Sequence, residues 1–501
     1  MILKELMHEV WLCECRLDEE ERQGVEARRE SDQAAAGGEA EGSAARGRSP
    51  LSNEVYSEPE EVERQHGVST PRDSTKDSIP AANRVKQDDH TADVTIKKAL
   101  TEEELLPCHY FDFMYGTSTG GLIATILGRL RMTVTEGLEL YRKVGDDLFG
   151  KRRSSVPLMT KYHHEPLEKA VREIVGARCH EHEDCDGNDL HPWDSDRMEE
   201  TLKLDVPFDV DEPRVCQSCC LTATHDENVT EAYLLRSYPH FYSPTTPNYV
   251  TRYNEGADLL PIWAVTRATS AAPFYFEMLR AEVEGVTKGF KDGGIRENNP
   301  SGAALSEFRA LYEGRVKVPA LMLSVGTGIP NQRADGFATN WSGLFGRMPG
   351  VAKFLEKRAV IQNLLIKYTE GEKQHHFMRS YAEGENTWYK RLNVNEGLGT
   401  MPLDEWVGGE WHGEKNVKGG ETLTKMEEVT RQYLERPFDE KVDSYAPPGV
   451  MVKQAAEKMV RQRRARERLG GPRWDAFVGK NLHRRKSAEV EQEATANGSA
   501  G

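Results

Sequence analysis

No apolar run in this 501-residue chain approaches the roughly 18 residues of a membrane-spanning helix. Hydrophobic residues make up only 38% and aromatic residues 8%, against 30% charged, so part of the chain is expected to lie outside any packed core. Basic charge is in deficit: 66 Lys and Arg against 82 Asp and Glu leave −16, which argues against a nucleic-acid binder. Met1–Arg16 has no secretory signal, because Glu5, His8, Glu9 and Glu14 interrupt any apolar stretch. The 8 cysteines then read as free thiols in a reducing compartment, and the expected location is cytoplasmic.

What the chain does have is concentrated in Tyr110–Leu130, YFDFMYGTSTGGLIATILGRL. The aromatic run Tyr110–Tyr115 reads as a buried strand. Gly116-Thr117-Ser118-Thr119-Gly120 follows, and Leu122, Ile123, Ile126, Leu127 and Leu130 then recur at helical spacing. Strand, G-x-S-x-G and helix in that order form a nucleophile elbow, in which a sharp turn strains the serine backbone and presents its hydroxyl. The flanking glycines leave room where a Cβ would collide with the neighbouring strand and helix. Ser118 is therefore the candidate nucleophile. A glycine-rich turn that binds phosphate, or nothing, is the plainer alternative.

Around this centre the chain divides into four parts. Residues 1–16 form a first helix with Ile2, Leu3, Leu6, Val10 and Trp11 on one face. Residues 17–104 hold few aromatics and many small or charged residues, and are expected to be a disordered insert. Residues 105–410 carry alternating strands and helices. Helices are expected over Thr135–Leu148, His164–Val175, Leu259–Ala272, from Asn299-Pro300 onward and over Val351–Tyr368; strands over Val215–Ala223, Pro319–Val325 and Tyr389–Val394. The alternation implies an α/β fold, a mainly parallel sheet with helices on both faces. Residues 411–501 form a helical, basic and partly disordered tail. Gln454–Leu469 within it could lie on an anionic membrane surface or be a solvated terminal helix.

Cys179, Cys185, Cys216 and Cys219 invite a zinc reading. Within a strand, however, Cys216 and Cys219 point to opposite faces, so no metal is expected.

A serine hydroxyl needs a base to act as a nucleophile at neutral pH. Asp292 is the leading candidate, at a strand end before Gly293 and Gly294, which would let another backbone approach closely. By itself the Asp292-Gly293-Gly294 turn would be unremarkable.

Together these residues resemble the patatin-like phospholipase family. The resemblance rests on Gly116–Gly121, on Asp292-Gly293-Gly294 with Asn298-Asn299-Pro300, and on Arg267–Phe276 (RATSAAPFYF). Leu323–Gly328 and Tyr389–Trp406 look like later family segments. It implies a three-layer α/β/α fold and a Ser118–Asp292 dyad that hydrolyses acyl esters of phospholipids and related lipids, with no cofactor. Ser118 would form the acyl-enzyme, and Asp292 would act as general base.

Family members also carry an early D-G-G-G-x-R-G loop whose backbone N–H groups stabilise the oxyanion. No such loop precedes Ser118, and the sequence opens in what looks like the helix that follows it. Losing one oxyanion donor typically costs roughly 10²–10³ in rate. The chain as it stands is thus expected to be weakly active or inactive, with the backbone N–H of Thr119 as the remaining oxyanion donor. An upstream start or a true truncation would account for this equally.

Two other readings compete. A Ser–His–Asp hydrolase would draw its histidine from His225, His240, His375 or His376, none of which stands in a distinctive turn. A non-catalytic scaffold would keep the fold and bind lipid or protein. Nothing in the sequence sets an oligomeric state.

Overall fold

The computed structural model describes residues 1–38, 100–149, 162–179 and 184–188. It also describes 218–328 apart from 227–229, 257–258, 274, 315 and 317, and 371–478 apart from 383–386, 400, 403 and 444. Two compact units emerge: Met1–Leu17 with Leu100–Gly501, and Asp18–Ala99.

The first helix, α1, runs from Ile2 to Gly38, well past the expected end at Arg16. Its continuation is rich in Glu, Arg, Gln and Ala, good helix formers whose low hydrophobicity reads as disorder. Glu19 pairs with Arg22 at 2.6 Å and accepts from Gln23 at 2.9 Å, contacts one helical turn apart. The expected disordered insert is therefore corrected at 17–38. It is corrected again at Glu102–Glu104, a 3₁₀ turn capped by Thr101. The rest of that insert lies outside the described residues.

The main sheet contains β1 (Phe113–Thr117), β2 (Ser218–His225), β3 (Ala232–Arg236), β4 (Leu279–Val283) and β5 (Val286–Asp292). Its side chains alternate as a strand period of two requires. Met114, Cys219, Leu221, Ala223 and Phe290 meet Ala264, Val265 and Ala268 of helix α5 (Ile262–Thr269) on one face. Phe113, Tyr115, Cys220 and Leu234 meet Ala303 and Leu311 of α6 (Ser301–Leu311) on the other. Helices thus cover both faces, and the α/β class holds.

The strand directions differ from expectation. Only β1–β2 is parallel in this sheet, while β2–β3, β2–β5 and β4–β5 are antiparallel. The missed signal is Glu284-Gly285, a two-residue link with φ of 54° and 74° that turns β4 directly back into β5. A second sheet pairs β6 (Met322–Val325) with β7 (Tyr389–Leu392) in parallel. Among the described residues, no strand pairs with the outer edge of β1.

Behind the elbow, α2 (Thr119–Ala124) passes into a π-helical turn, Thr125–Arg129. Helices α3 (Val134–Phe149) and α4 (Glu165–Arg178) pack there through Leu130, Leu167, Val171 and Val175. The expected helix over Val351–Tyr368 lies outside the described residues.

The C-terminal region holds a hairpin, β8 (Gly409–Trp411) and β9 (Glu414–Val417), then α7 (Gly420–Glu435), α8 (Pro448–Leu469) and α9 (Gly471–Phe477). Helix α8 is not a frayed tail. Met451, Val452, Ala455, Ala456, Met459 and Val460 are buried with Ile2, Leu6 and Val10 of α1. Arg463 and Arg464 converge on the buried Glu14 carboxylate at 2.7 and 2.8 Å. The apolar face that a membrane reading needs is occupied by α1.

Candidate active site

Ser118 follows the last residue of β1 and precedes the first residue of α2, with φ 55° and ψ −123°. That is a region an L-residue enters only when its surroundings impose it. Close packing imposes it here. A Cβ on Gly116 would lie 2.2 Å from the Gly120 carbonyl oxygen. The second required glycine is Gly121, where a Cβ would lie 2.7 Å from the Thr269 side chain. A Cβ on Gly120, which the motif names, would meet nothing within 4 Å. The expectation for Gly120 is corrected accordingly.

Asp292 ends β5, only 4% exposed. Its Oδ2 accepts the Ser118 hydroxyl at 2.6 Å, and its Oδ1 accepts the Gly294 N–H at 2.7 Å. Burial pushes its pKa from 3.8 up to about 6, against the lowering effect of those two hydrogen bonds. Gly293 is needed for approach, since a Cβ would sit 2.3 Å from the Thr222 carbonyl oxygen. The structure therefore brings together the two residues singled out from sequence, 174 positions apart.

Strand pairing explains how. On one edge of β2, β1 runs parallel and places Thr117 opposite Thr222. On the same edge β5 runs antiparallel and places Asp292 opposite Ala223. The two strands meet carboxyl end to carboxyl end.

Threonines hold this junction: Thr117 belongs to the elbow motif and Thr269 to the Arg267–Phe276 segment, whereas Thr222 and Thr224 were given no role from sequence. Thr117 Oγ1 lies 2.7 Å from Thr222 Oγ1 and donates to the Glu297 carbonyl at 2.8 Å. Thr224 Oγ1 donates to the Asp292 carbonyl at 3.0 Å. Thr269 Oγ1 accepts the Ser118 N–H at 2.9 Å and donates to the Thr222 carbonyl at 2.8 Å. Helix α5 ends at Thr269, short of the expected Ala272, and Ser270 Oγ donates to the Thr266 carbonyl at 2.7 Å. Similarly, α6 starts one residue late, after Pro300, while Asn299 Oδ1 accepts from Ser301 N at 3.3 Å.

Thr119 is the first residue of α2, where a backbone N–H has no acceptor within its own helix.

The four candidate histidines are engaged elsewhere. His225 Nε2 lies 3.7 Å from Asp226, and its ring faces Tyr233 and Phe290. His240 Nε2 lies 3.6 Å from Glu307, and burial lowers its pKa. His375 Nδ1 is 3.1 Å from the Tyr389 hydroxyl, its pKa lowered by burial to about 4, and the His376 ring lies beside it, tilted by 36°. Among the described residues no histidine bonds Ser118 or Asp292. Of the cysteines weighed as metal ligands, Cys219 is buried with its Sγ 3.4 Å from the Ala124 carbonyl, and Cys179 is buried. Cys185 is half-buried, and Cys216 lies outside the described residues.

The patatin-like phospholipase family model matches residues 96–305, a span that contains both Ser118 and Asp292. The chain carries a patatin-like phospholipase domain. Calcium-independent phospholipase A2-gamma of Homo sapiens is 29% identical over 236 residues, 47% of this chain and 26% of that protein. The Rattus norvegicus protein of the same name is 29% identical over 358 residues, 70% of this chain and 37% of that protein. The 85/88 kDa calcium-independent phospholipase A2 of Mus musculus is 27% identical over 235 residues, 44% of this chain and 23% of that protein. The match thus spans between about a quarter and two fifths of these relatives' length. Helices α7 and α8 lie beyond the residues that the family model matches.

Proposed function

We propose that the patatin-like domain is a serine acyl hydrolase acting on acyl esters of phospholipids or related lipids, through a Ser118–Asp292 dyad. The observation that carries this reading is the 2.6 Å hydrogen bond from Ser118 Oγ to a buried Asp292 whose pKa is raised to about 6. A base of that strength is ionised at neutral pH yet still basic enough to take a hydroxyl proton.

In this mechanism Ser118 Oγ attacks the acyl carbonyl while its proton passes to Asp292 Oδ2. The tetrahedral adduct's oxyanion is met by the Thr119 N–H at the start of α2. Collapse expels the alcohol portion, which takes the proton from Asp292, and leaves an acyl ester on Ser118. Asp292 then draws a proton from water, the hydroxide adds to the acyl ester, and the proton returns to Ser118 as the acid departs. A lipid substrate implies that the protein works at a membrane surface from outside the bilayer. Among the described residues no helix is long and apolar enough to cross one.

Labelling with a fluorophosphonate, followed by peptide mapping, tests the reading. Wild type is expected to be modified at Ser118 only, while Ser118→Ala is silent and Asp292→Asn reacts roughly 10²–10⁴ times more slowly. Turnover of a phosphatidylcholine with labelled acyl chains should follow the same order, at the low rate expected with the Thr119 N–H as oxyanion donor in place of a glycine-rich loop. A folded wild type that resists the probe and leaves the lipid intact would overturn the proposal in favour of a non-catalytic scaffold.

A further inference from the structure

The segment Thr269–Ala271 touches both members of the dyad. Thr269 Oγ1 accepts the Ser118 N–H at 2.9 Å, and the Ala271 carbonyl accepts the Asp292 N–H at 3.0 Å. The two anchors are separated by one residue on a turn that is buried throughout: Thr269 0%, Ser270 8% and Ala271 1% exposed. No other described segment bonds the backbone N–H of both residues.

The Thr269 hydroxyl has only one orientation that serves this arrangement. Its hydrogen points to the Thr222 carbonyl at 2.8 Å, which leaves its lone pairs facing Ser118. Thr222 is itself the residue of β2 that pairs with Thr117, next to the Ala223 that pairs with Asp292. The serine's N–H is thereby referenced to the same point of the sheet from which Asp292 is placed. Ser118 needs such a reference because its φ of 55° is strained. An elbow released from this bond can relax, and a hydroxyl displaced by even part of an ångström no longer meets its base squarely.

Resting on the dyad reading above, we propose that Thr269 is a positioning residue for the acyl-transfer step, holding the Ser118 backbone so that Oγ stays aligned on Asp292. It exchanges no proton with substrate, and its role ends at the Ser118 amide.

Thr269→Val keeps the shape and deletes the hydroxyl; Thr269→Ser keeps the hydroxyl and deletes the methyl; Thr269→Cys is close to serine in size with a poor acceptor. In the full chain, the valine and cysteine variants are expected to lose roughly 10- to 100-fold in kcat and in fluorophosphonate labelling rate, from an unpaired buried N–H, with KM unchanged. The serine variant should stay within about threefold of wild type. Valine or cysteine variants as active as serine would overturn the proposal. So would a serine variant as impaired as valine, because the methyl would then be what matters. Should the valine variant fail to fold, the serine–cysteine pair decides by the same criteria. A wild type with neither turnover nor labelling defeats the hydrolase reading alone. Amide exchange at Ser118 then still judges Thr269: faster exchange in the cysteine variant than in the serine variant supports the proposal, and equal exchange overturns it.

Discussion

Thr117 and Asp292 face consecutive residues of one strand: Thr117 pairs with Thr222, and Asp292 with Ala223. Two strands running in opposite directions along β2 therefore end against each other, and each end delivers one member of the candidate dyad. The 2.6 Å contact between Ser118 and Asp292 follows from sheet register, with the elbow turn supplying the last step.

Activity should depend on pH through Asp292. With the carboxyl at about 6, hydrolysis and probe labelling are expected to rise tenfold per pH unit below that value and to level off above pH 7. A log(kcat/KM) profile measured from pH 4.5 to 8.5 checks this. A profile flat between pH 5 and 7 would remove Asp292 as the base.

The same shift has a stability consequence of opposite sense. A carboxyl whose folded pKa lies above its unfolded 3.8 destabilises the folded state when ionised. The penalty is absent below about pH 4, grows as pH rises towards 6, and is complete above it. Asp292→Asn is therefore expected to raise Tm at pH 7.5, by up to about 3 kcal/mol in stability, and to change little at pH 4. Thermal unfolding at the two pH values checks it.

Among the elbow glycines, the neighbours rank the substitutions. Gly121→Ala drives a Cβ against Thr269 and Leu221, and Gly116→Ala drives one into backbone, so both should lose stability by a few kcal/mol. Gly120→Ala meets open space within a helix and should be neutral or stabilising by up to about 1 kcal/mol. Urea unfolding of the three variants tests the order.

Single alanine replacements of His225, His240, His375 and His376 are expected to leave Ser118 labelling within about threefold wherever the variant stays folded, since none touches the dyad. Loss of labelling in one folded variant would replace the dyad with a triad.

Glu14 should matter far more than its position near the start of the chain suggests. It is 5% exposed and accepts from Arg463, Arg464 and Tyr110. Glu14→Ala removes the buried carboxylate that Arg463, Arg464 and Tyr110 share and is expected to destabilise the protein by about 3–5 kcal/mol, whereas truncating an exposed pair such as Arg431–Glu435 should cost little. Chemical denaturation of both variants makes the comparison.

Local chemistry was enough to find Ser118 and Asp292, because an elbow and a strand-end acid each leave a mark within a few residues. It also placed α5, α6, β6 and β7 to within a few positions, through periodicity and turn residues. The direction of the strands was not legible in the same way. Alternation of strands and helices suggested parallel pairing, and the short Glu284-Gly285 reversal was overlooked. The low hydrophobicity of residues 17–38 looked like disorder, although a helix stabilised by pairs along its own surface needs no apolar face.

The sequence by itself determined which residues could do chemistry, since a strained serine and a carboxylate before two glycines are properties of short segments. Only the tertiary structure decided that they meet, that Gly121 and not Gly120 carries the steric requirement, and that Thr269 grips the Ser118 amide. The physical reason is range. Propensity, periodicity and turn geometry act over a few residues, whereas register along β2 and burial of the carboxyl depend on segments more than a hundred positions apart packing against one strand.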